Sequence, residues 1–255
     1  MTVLLETAKE AARLGGQVLL DWRDRFTISE KGQRDFVTQA DLESEKVIRE
    51  YIAERFPEHS FLGEETKMHV GDNSEYCWIV DPLDGTTNYI HQLPSYSVSI
   101  GLRKGNEIIA GVVLDPLLGE CFYASKDGGA FLNEQPIQVS GIAKLNRALL
   151  VVSLSASIQQ DSLEHQQFTK LLFGCQGFRR LGSAALNLCY LAAGRLDAYW
   201  ALSLNLWDAA AGLLILQEAG GVIRHVDNRE FDLDDPRFVA AATEDLYQEV
   251  LDVLN

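Results

Sequence analysis

Two aspartates three residues apart, at the end of the apolar run Trp78-Ile79-Val80 and just before Gly85-Thr86-Thr87-Asn88, are the residues best placed to do chemistry. Pro82 fixes the backbone between Asp81 and Asp84, so both carboxylates can face one cavity as hard oxygen ligands for Mg²⁺. Gly85 allows close backbone approach, and Gly85, Thr86 and Thr87 supply consecutive N–H groups. A helix beginning there adds its positive N-terminus as an anion site. A metal cluster beside an anion pocket is what phosphate chemistry needs. Taken alone, the segment also reads as an Asp-Pro/Asp-Gly turn leaving a strand.

Three further segments carry carboxylates at marked positions. Gly63-Glu64-Glu65 follows a short apolar run, and its plain alternative is a solvated acidic turn. Trp207-Asp208-Ala209-Ala210-Ala211-Gly212 puts an aspartate where a small-residue helix starts, and Asp35-Phe36-Val37-Thr38-Gln39-Ala40-Asp41 ends in one before another helix. Each of those two reads equally as an ordinary helix N-cap. The histidines show no ligand spacing with one another, and an oxygen-based Mg²⁺ site has no need of imidazole. Cys77, Cys121, Cys175 and Cys189 are scattered among apolar neighbours, without the pairing of a zinc site, and read as reduced thiols.

The elements that must position these groups follow from the apolar periodicity. Helical spacing runs from Thr2 to about Asp24 and from Asp41 to Phe56, where Pro57 stops it. Short β-rich runs follow at 76–80, 95–103, 107–114, 119–125 and 130–132, separated by turns such as Lys104-Gly105-Asn106, and predict an antiparallel meander. From Ala148 the texture changes to strands at 149–154 and 198–202 and helices near 162–173, 183–194, 208–219 and 243–254, the third of these helices ending on Gly220-Gly221. The expectation is two sub-domains packed as one unit: 1–145, with N-terminal helices, the antiparallel sheet and most of the carboxylates, and 146–255, an α/β half carrying Asp208.

In their order, the segments D-x-V-T-x-x-D, G-E-E, D-P-L-D-G-T-T-N and W-D-A-A-A-G, with Arg180-Leu181-Gly182-Ser183-Ala184-Ala185 and Glu218-Ala219-Gly220-Gly221, resemble the inositol monophosphatase family of Mg²⁺-dependent, lithium-sensitive phosphatases. The resemblance spans nearly the whole chain. It implies an α+β / α/β layered sandwich (αβαβα, sugar-phosphatase type) and a homodimer. It also implies two or three Mg²⁺ ions, one held by Glu64, Asp81 and the Leu83 carbonyl and a second by Asp81, Asp84 and Asp208, with Asp41 supporting the attacking water or a third ion. The implied reaction is direct attack of a metal-activated water on a small phosphorylated metabolite, with Glu64, Thr86 and Asp41 in catalytic roles. Asp84, Gly85, Thr86, Gly182, Ser183, Ala184 and Asp208 are the implied substrate contacts. The family often carries a glutamate seven residues before the aspartate of the W-D motif. Here that position is Ala201, which removes a hydrogen-bond acceptor for a polyol and opens the choice between inositol 1-phosphate, another small polyol or sugar phosphate, histidinol phosphate, fructose 1,6-bisphosphate and a nucleotide 3′-phosphate. An additional regulatory binding role is a further alternative.

Charge and hydropathy set the outer limits. Among 255 residues, 37 Asp+Glu against 22 Lys+Arg give a net charge of −15, while 47% hydrophobic residues suffice for a full core. A field of that sign repels nucleic-acid backbones and anionic membranes. The first residues reach Glu6, Lys9 and Glu10 before any sustained apolar run, which reads against a signal peptide, and Arg180, Arg195, Asp197 and Asp208 interrupt the later apolar segments too often for a membrane span. The expected location is the cytoplasm.

Overall fold

The computed structural model describes residues 1–25, 28–32, 35–66, 74–154, 158–233 and 235–255, with backbone only for 28–32 and 35–37. The chain opens with α1 (Thr2–Trp22), an antiparallel hairpin of β1 (Ile28–Gly32) and β2 (Asp35–Thr38), and α2 (Gln39–Arg55). Strands β3 (Ser60–Gly63) and β4 (Tyr76–Asp84) lead to the short helix α3 (Thr86–Ile90). The meander β5 (Ser97–Lys104), β6 (Glu107–Asp115), β7 (Glu120–Ser125), β8 (Ala130–Leu132) and β9 (Gln135–Pro136) follows. The remainder alternates: β10 (Leu149–Ser153), α4 (Leu163–Gly174), β11 (Gly177–Arg179), α5 (Ala184–Ala192), β12 (Ala198–Ala201), α6 (Leu206–Glu218), β13 (Val222–His225), β14 (Phe238–Ala241) and α7 (Glu244–Leu254).

β3 to β9 form a seven-stranded sheet in chain order, antiparallel except for the β3–β4 pair. The other large sheet has five strands in the order β11-β10-β12-β14-β13, with β10 parallel to both its neighbours and the remaining pairs antiparallel. α1 and α2 cover one face of the seven-stranded sheet, where Ala8, Ala12, Leu19 and Ile48 are buried with Trp78, Val98 and Ile100. α5 and α6 fill the space between the sheets, and α7 with α4 covers the outer face of the smaller one. Helix, sheet, helix, sheet, helix is the layered sandwich expected.

The small-residue start of α6 has a packing cause. Gly101 and Gly111 on the sheet face Ala210 and Ala211, so closely that a methyl on Gly111 would stand 2.7 Å from the Ala211 carbonyl. This close seat lays the N-terminal end of α6 against the strands that carry the aspartates, and the Ser99 hydroxyl donates to the Trp207 carbonyl at 3.3 Å. The run of small residues is therefore a docking surface for the sheet, and Asp208 rides on it.

The structure departs from the sequence reading in three places. β4 does not stop at Val80 but runs through Pro82 to Asp84, with its pairing to β5 shifted between Asp81 and Asp84. Pro82 is tolerated there because the bulge leaves its missing N–H without a ladder partner. α2 and α6 each begin two residues before their aspartate. The β1–β2 hairpin and β11 are too short to leave a period in the sequence.

Candidate active site

Register brings the carboxylates together. Gly63 pairs with Val80 in the parallel β3–β4 ladder, and the Glu64 N–H donates to the Val80 carbonyl at 3.1 Å, which sets Glu64 beside Asp81. Asp81, 2% exposed, accepts the Leu83 N–H at 3.0 Å and thereby shapes the bulge itself. Gly85 then turns the chain into α3 at a φ of +95°, a backbone region that favours glycine, and a methyl there would meet the Ser95 carbonyl at 2.9 Å. Thr86 opens α3, its single hydroxyl proton directed to the Leu83 carbonyl at 3.2 Å or to Asp41 Oδ1 at 3.5 Å.

Asp41 and Asp208 occupy matching positions. Each is the third residue of its helix and reaches back to the residue before the helix. Asp41 Oδ2 accepts the Thr38 N–H at 2.9 Å and the Thr38 hydroxyl at 2.6 Å; Asp208 Oδ2 accepts the Asn205 N–H at 2.7 Å. Neither is an N-cap; each is the returning carboxylate of a capping box.

Asp84 ties the two sheets' neighbourhoods together. Its oxygens accept the Ser183 hydroxyl at 2.5 Å and the Ala184 and Ala185 N–H groups at 3.1 and 2.8 Å, so the N-terminus of α5 closes on it. Gly182, at φ +92°, makes the turn into that helix.

The electrostatics of the cluster are adverse. Burial, with Glu64, Asp84 and Asp208 close by, pushes the Asp81 carboxyl well above the usual range. Burial also raises Asp84, although the hydroxyl and backbone donors of α5 work against it. Asp208 is pushed up to about 7 by burial and the charge of Asp84, and Asp41 to about 6 by burial. Asp81 is within hydrogen-bond reach of both Glu64 and Asp208.

Among the described residues, no three His, Cys, Asp or Glu side chains already stand as a preformed metal site. The donor chemistry nonetheless fits divalent cations. Glu64, Asp84 and Asp208 all press on the buried Asp81, and an all-oxygen set of this kind suits hard ions such as Mg²⁺. The geometry differs from a ligand shell because Asp84, Asp208 and Asp41 are held by backbone and hydroxyl donors.

Comparison with known proteins agrees with this chemistry. The model of the inositol monophosphatase family matches residues 1–255. The chain belongs to the inositol monophosphatase family. An inositol-1-monophosphatase of Caulobacter vibrioides is 38% identical over 259 residues, covering 98% of this chain and 99% of that protein. A Pasteurella multocida relative named Nus factor SuhB is 39% identical, covering 95% and 92%. Among solved structures, the extragenic suppressor protein SuhB of Bartonella henselae superposes with a TM-score of 0.94 at 32% identity, over 99% and 98% of the two chains. The inositol monophosphatase of Anabaena gives 0.88 at 35%, over 99% and 95%.

As an inositol monophosphatase family member the chain is a phosphoric monoester hydrolase, of a metal-dependent family that acts on small phosphorylated substrates. No described helix is long and apolar enough to cross a membrane. Beside this carboxylate cluster lies a cavity of about 210 Å³ whose wall includes Asp84, Ser153, Arg180, Gly182, Ser203 and Asp208. A larger hollow of about 550 Å³, between α6 and β13, shares none of these residues and has no part in the carboxylate chemistry. Ala201 is fully buried against its strand neighbours Ser153 and Phe238, so its substitution leaves no opening toward the cavity.

Two residues that position the site escaped the sequence reading. Asn88 donates from one amide nitrogen to the Ser95 and Leu181 carbonyls, both at 2.7 Å, bolting α3 to the Gly182 turn. It closes the D-G-T-T-N motif, yet only the fold reveals that its partner lies ninety-three residues on. Glu45, 1% exposed, accepts the Glu65 N–H at 2.8 Å and lies so close to Gly63 that no side chain fits there. Its signal was its place one helical turn after Asp41, on the same face. Asp35 lies on β2 with its side chain outside the described residues.

Proposed function

We propose that the chain hydrolyses small polyol or sugar phosphates, inositol 1-phosphate among them, with Mg²⁺ held by Glu64, Asp81, the Leu83 carbonyl, Asp84 and Asp208. The observation that carries this reading is the convergence of those carboxylates beside the α3 turn: Asp81 and Asp208 are raised by burial and by neighbouring carboxylates, and Asp84 is raised by burial. Bound divalent cations supply Lewis acidity at phosphate oxygens and make water more acidic. Glu64 and the Thr86 hydroxyl orient the attacking water, and Glu64 takes up a hydrogen bond from it. Asp41, its Oδ2 held by the Thr38 donors and its Oδ1 facing the Thr86 hydroxyl, supports that water or a third ion. The Gly85 and Thr86 N–H groups face phosphate oxygens, while Gly182, Ser183 and Ala184 border the alcohol portion. A homodimer, lithium inhibition and a cytoplasmic setting belong to the same reading.

Release of inorganic phosphate from inositol 1-phosphate, glycerol 2-phosphate and sugar phosphates, with Mg²⁺ and then with EDTA, tests it. Asp81→Asn should lower turnover by orders of magnitude with folding retained. Turnover that survives both EDTA and Asp81→Asn would sink the assignment. The same variant separates a second reading, favoured by the relative named as a Nus factor: a cellular phenotype of gene deletion that Asp81→Asn still complements would establish a binding role beside hydrolysis.

A further inference from the structure

The cavity beside Asp84 and Asp208 has the donor chemistry of an anion site. Its obvious acceptors are committed: Asp84 to the hydroxyl and N–H donors of α5, and Asp208 Oδ2 to the Asn205 N–H. The Ser153 hydroxyl is shared with the Tyr199 hydroxyl at 2.6 Å. Ala201 offers no acceptor and is sealed off. Besides Asp208 Oδ1, which the proposed function gives to the metal, what remains in the wall is the exposed Ser203 and Arg180, the latter with neither an ion pair nor a hydrogen bond among the described residues.

A wall of this kind offers a neutral polyol little to accept its hydroxyl protons. An oxyanion is the complementary ligand, because a guanidinium presents a planar fork of donors that matches phosphate or carboxylate in two-point fashion. The charge balance points the same way. A protein of net charge −15 repels a doubly charged ligand, and an unpaired cation at the mouth of the site offsets that repulsion where it matters.

We propose that Arg180 is the specificity-determining residue of this cavity, holding a second oxyanion on the alcohol portion of the substrate. The preferred substrates are then phosphate esters bearing another phosphate or a carboxylate, rather than neutral polyol monophosphates. The proposal rests on the phosphatase reading given above.

Steady-state phosphate release by wild type, Arg180→Gln and Arg180→Lys, with fructose 1,6-bisphosphate and inositol 1-phosphate as the probes, tests it. The ratio of kcat/KM, bisphosphate over inositol 1-phosphate, should exceed one in the wild type. In Arg180→Gln it should fall by about 10- to 100-fold through KM, as expected for one lost charge-assisted contact, and Arg180→Lys should recover part of it. A wild type that favours inositol 1-phosphate, or an Arg180→Gln variant that loses both activities equally, overturns the proposal. Calorimetric titration of the same two compounds with Ca²⁺ in place of Mg²⁺ reads binding without turnover. If the wild type hydrolyses neither compound but Arg180→Gln still loses affinity for the bisphosphate alone, the hydrolase reading fails and the Arg180 assignment stands. Equal affinities in the two proteins overturn the assignment whatever the turnover.

Discussion

Replacing Ser183 by alanine tests how the sheets are joined at the site. The fully buried hydroxyl caps α5 by accepting the Leu186 N–H at 3.2 Å, donates to Asp84 Oδ2 at 2.5 Å, and lies 3.3 Å from the Ser97 hydroxyl. Losing the cap costs about 1 kcal/mol, and losing a hydrogen bond to a charged group costs about 1.5–3 kcal/mol. Together they amount to about 3 kcal/mol, or a fall in Tm of about 6–12 °C for a chain of this size. Ser183→Gly divides the sum, because glycine at an N-cap costs only a few tenths of a kcal/mol while the Asp84 donor is still lost. That variant should fall by about 2 kcal/mol, or roughly 4–8 °C.

The assay is thermal unfolding in EDTA, which removes stabilisation by bound metal, beside phosphate release as a function of Mg²⁺ concentration. Both variants withdraw a donor that lowers the Asp84 pKa, so this carboxyl rises further and the Mg²⁺ concentration for half-maximal activity increases most at acidic pH. Stability of both variants within about 0.5 kcal/mol of wild type, a change typical of unremarkable surface substitutions, together with an unchanged Mg²⁺ dependence, would refute the view that Ser183 holds Asp84 in place.

Two other outcomes follow from the same geometry. Asp41 and Asp208 have folded-state values near 6 and 7, above their ordinary carboxylate range, so the folded protein binds more protons than the unfolded chain from about pH 4 upward. Their ionisation therefore destabilises the metal-free fold as pH rises through that window, by up to about 1.4 kcal/mol per pH unit for each group. The Tm difference between Mg²⁺ and EDTA samples should widen from pH 5 to pH 8, and a constant difference would count against the carboxylate cluster as the metal site. Asn88→Ala removes both 2.7 Å bonds to the Ser95 and Leu181 carbonyls. It should cost about 1–3 kcal/mol and lower kcat/KM even at temperatures where the variant is fully folded; normal kinetics there would show that the Gly182 turn is held by other contacts.

Much of this arrangement was legible because the relevant signals are local. The 3.6-residue spacing in Thr2–Trp22 and the short alternating strands between Ser97 and Leu132 are set by which face of each element meets the core, and they appear in the structure close to where the pattern puts them. The motif carboxylates were legible for a different reason: the Asp-Pro-Leu-Asp-Gly segment alone also reads as a turn, and it is the order of the four acidic segments along the chain that resembles a known family. What stayed hidden depends on contacts distant in sequence. Pro82 reads as fixing a turn between the two aspartates after a strand over 76–80, yet β4 continues through it because the register shift against β5 leaves nothing for the absent N–H to bond. Asn88 and Glu45 draw their meaning from the Leu181 carbonyl and the Gly63–Glu65 bend, and no periodicity reports such partners. Ala201 read as a gap in the substrate wall, but its strand pairing with Ser153 and Phe238 closes it into the core.

The two helix-start aspartates show why capping and ligation need not be rival explanations. A carboxylate has two oxygens with about four acceptor positions. In Asp41 the Thr38 donors occupy Oδ2, which leaves Oδ1 directed to Thr86; in Asp208 the Asn205 N–H likewise engages Oδ2. The capping contact fixes the rotamer, so the other oxygen is aimed before any cation arrives. The positive end of each helix also favours the ionised form, by about 0.3–1 kcal/mol. That is too little to overcome burial, which still lifts both groups to about 6 and 7. Under the proposed assignment, divalent metal would supply the stronger positive charge that keeps both groups ionised, at the point where a phosphate would otherwise be repelled. A cap that orients without neutralising is thus a suitable mount for a ligand, and the residue type favoured at a helix start is the one a hard cation requires.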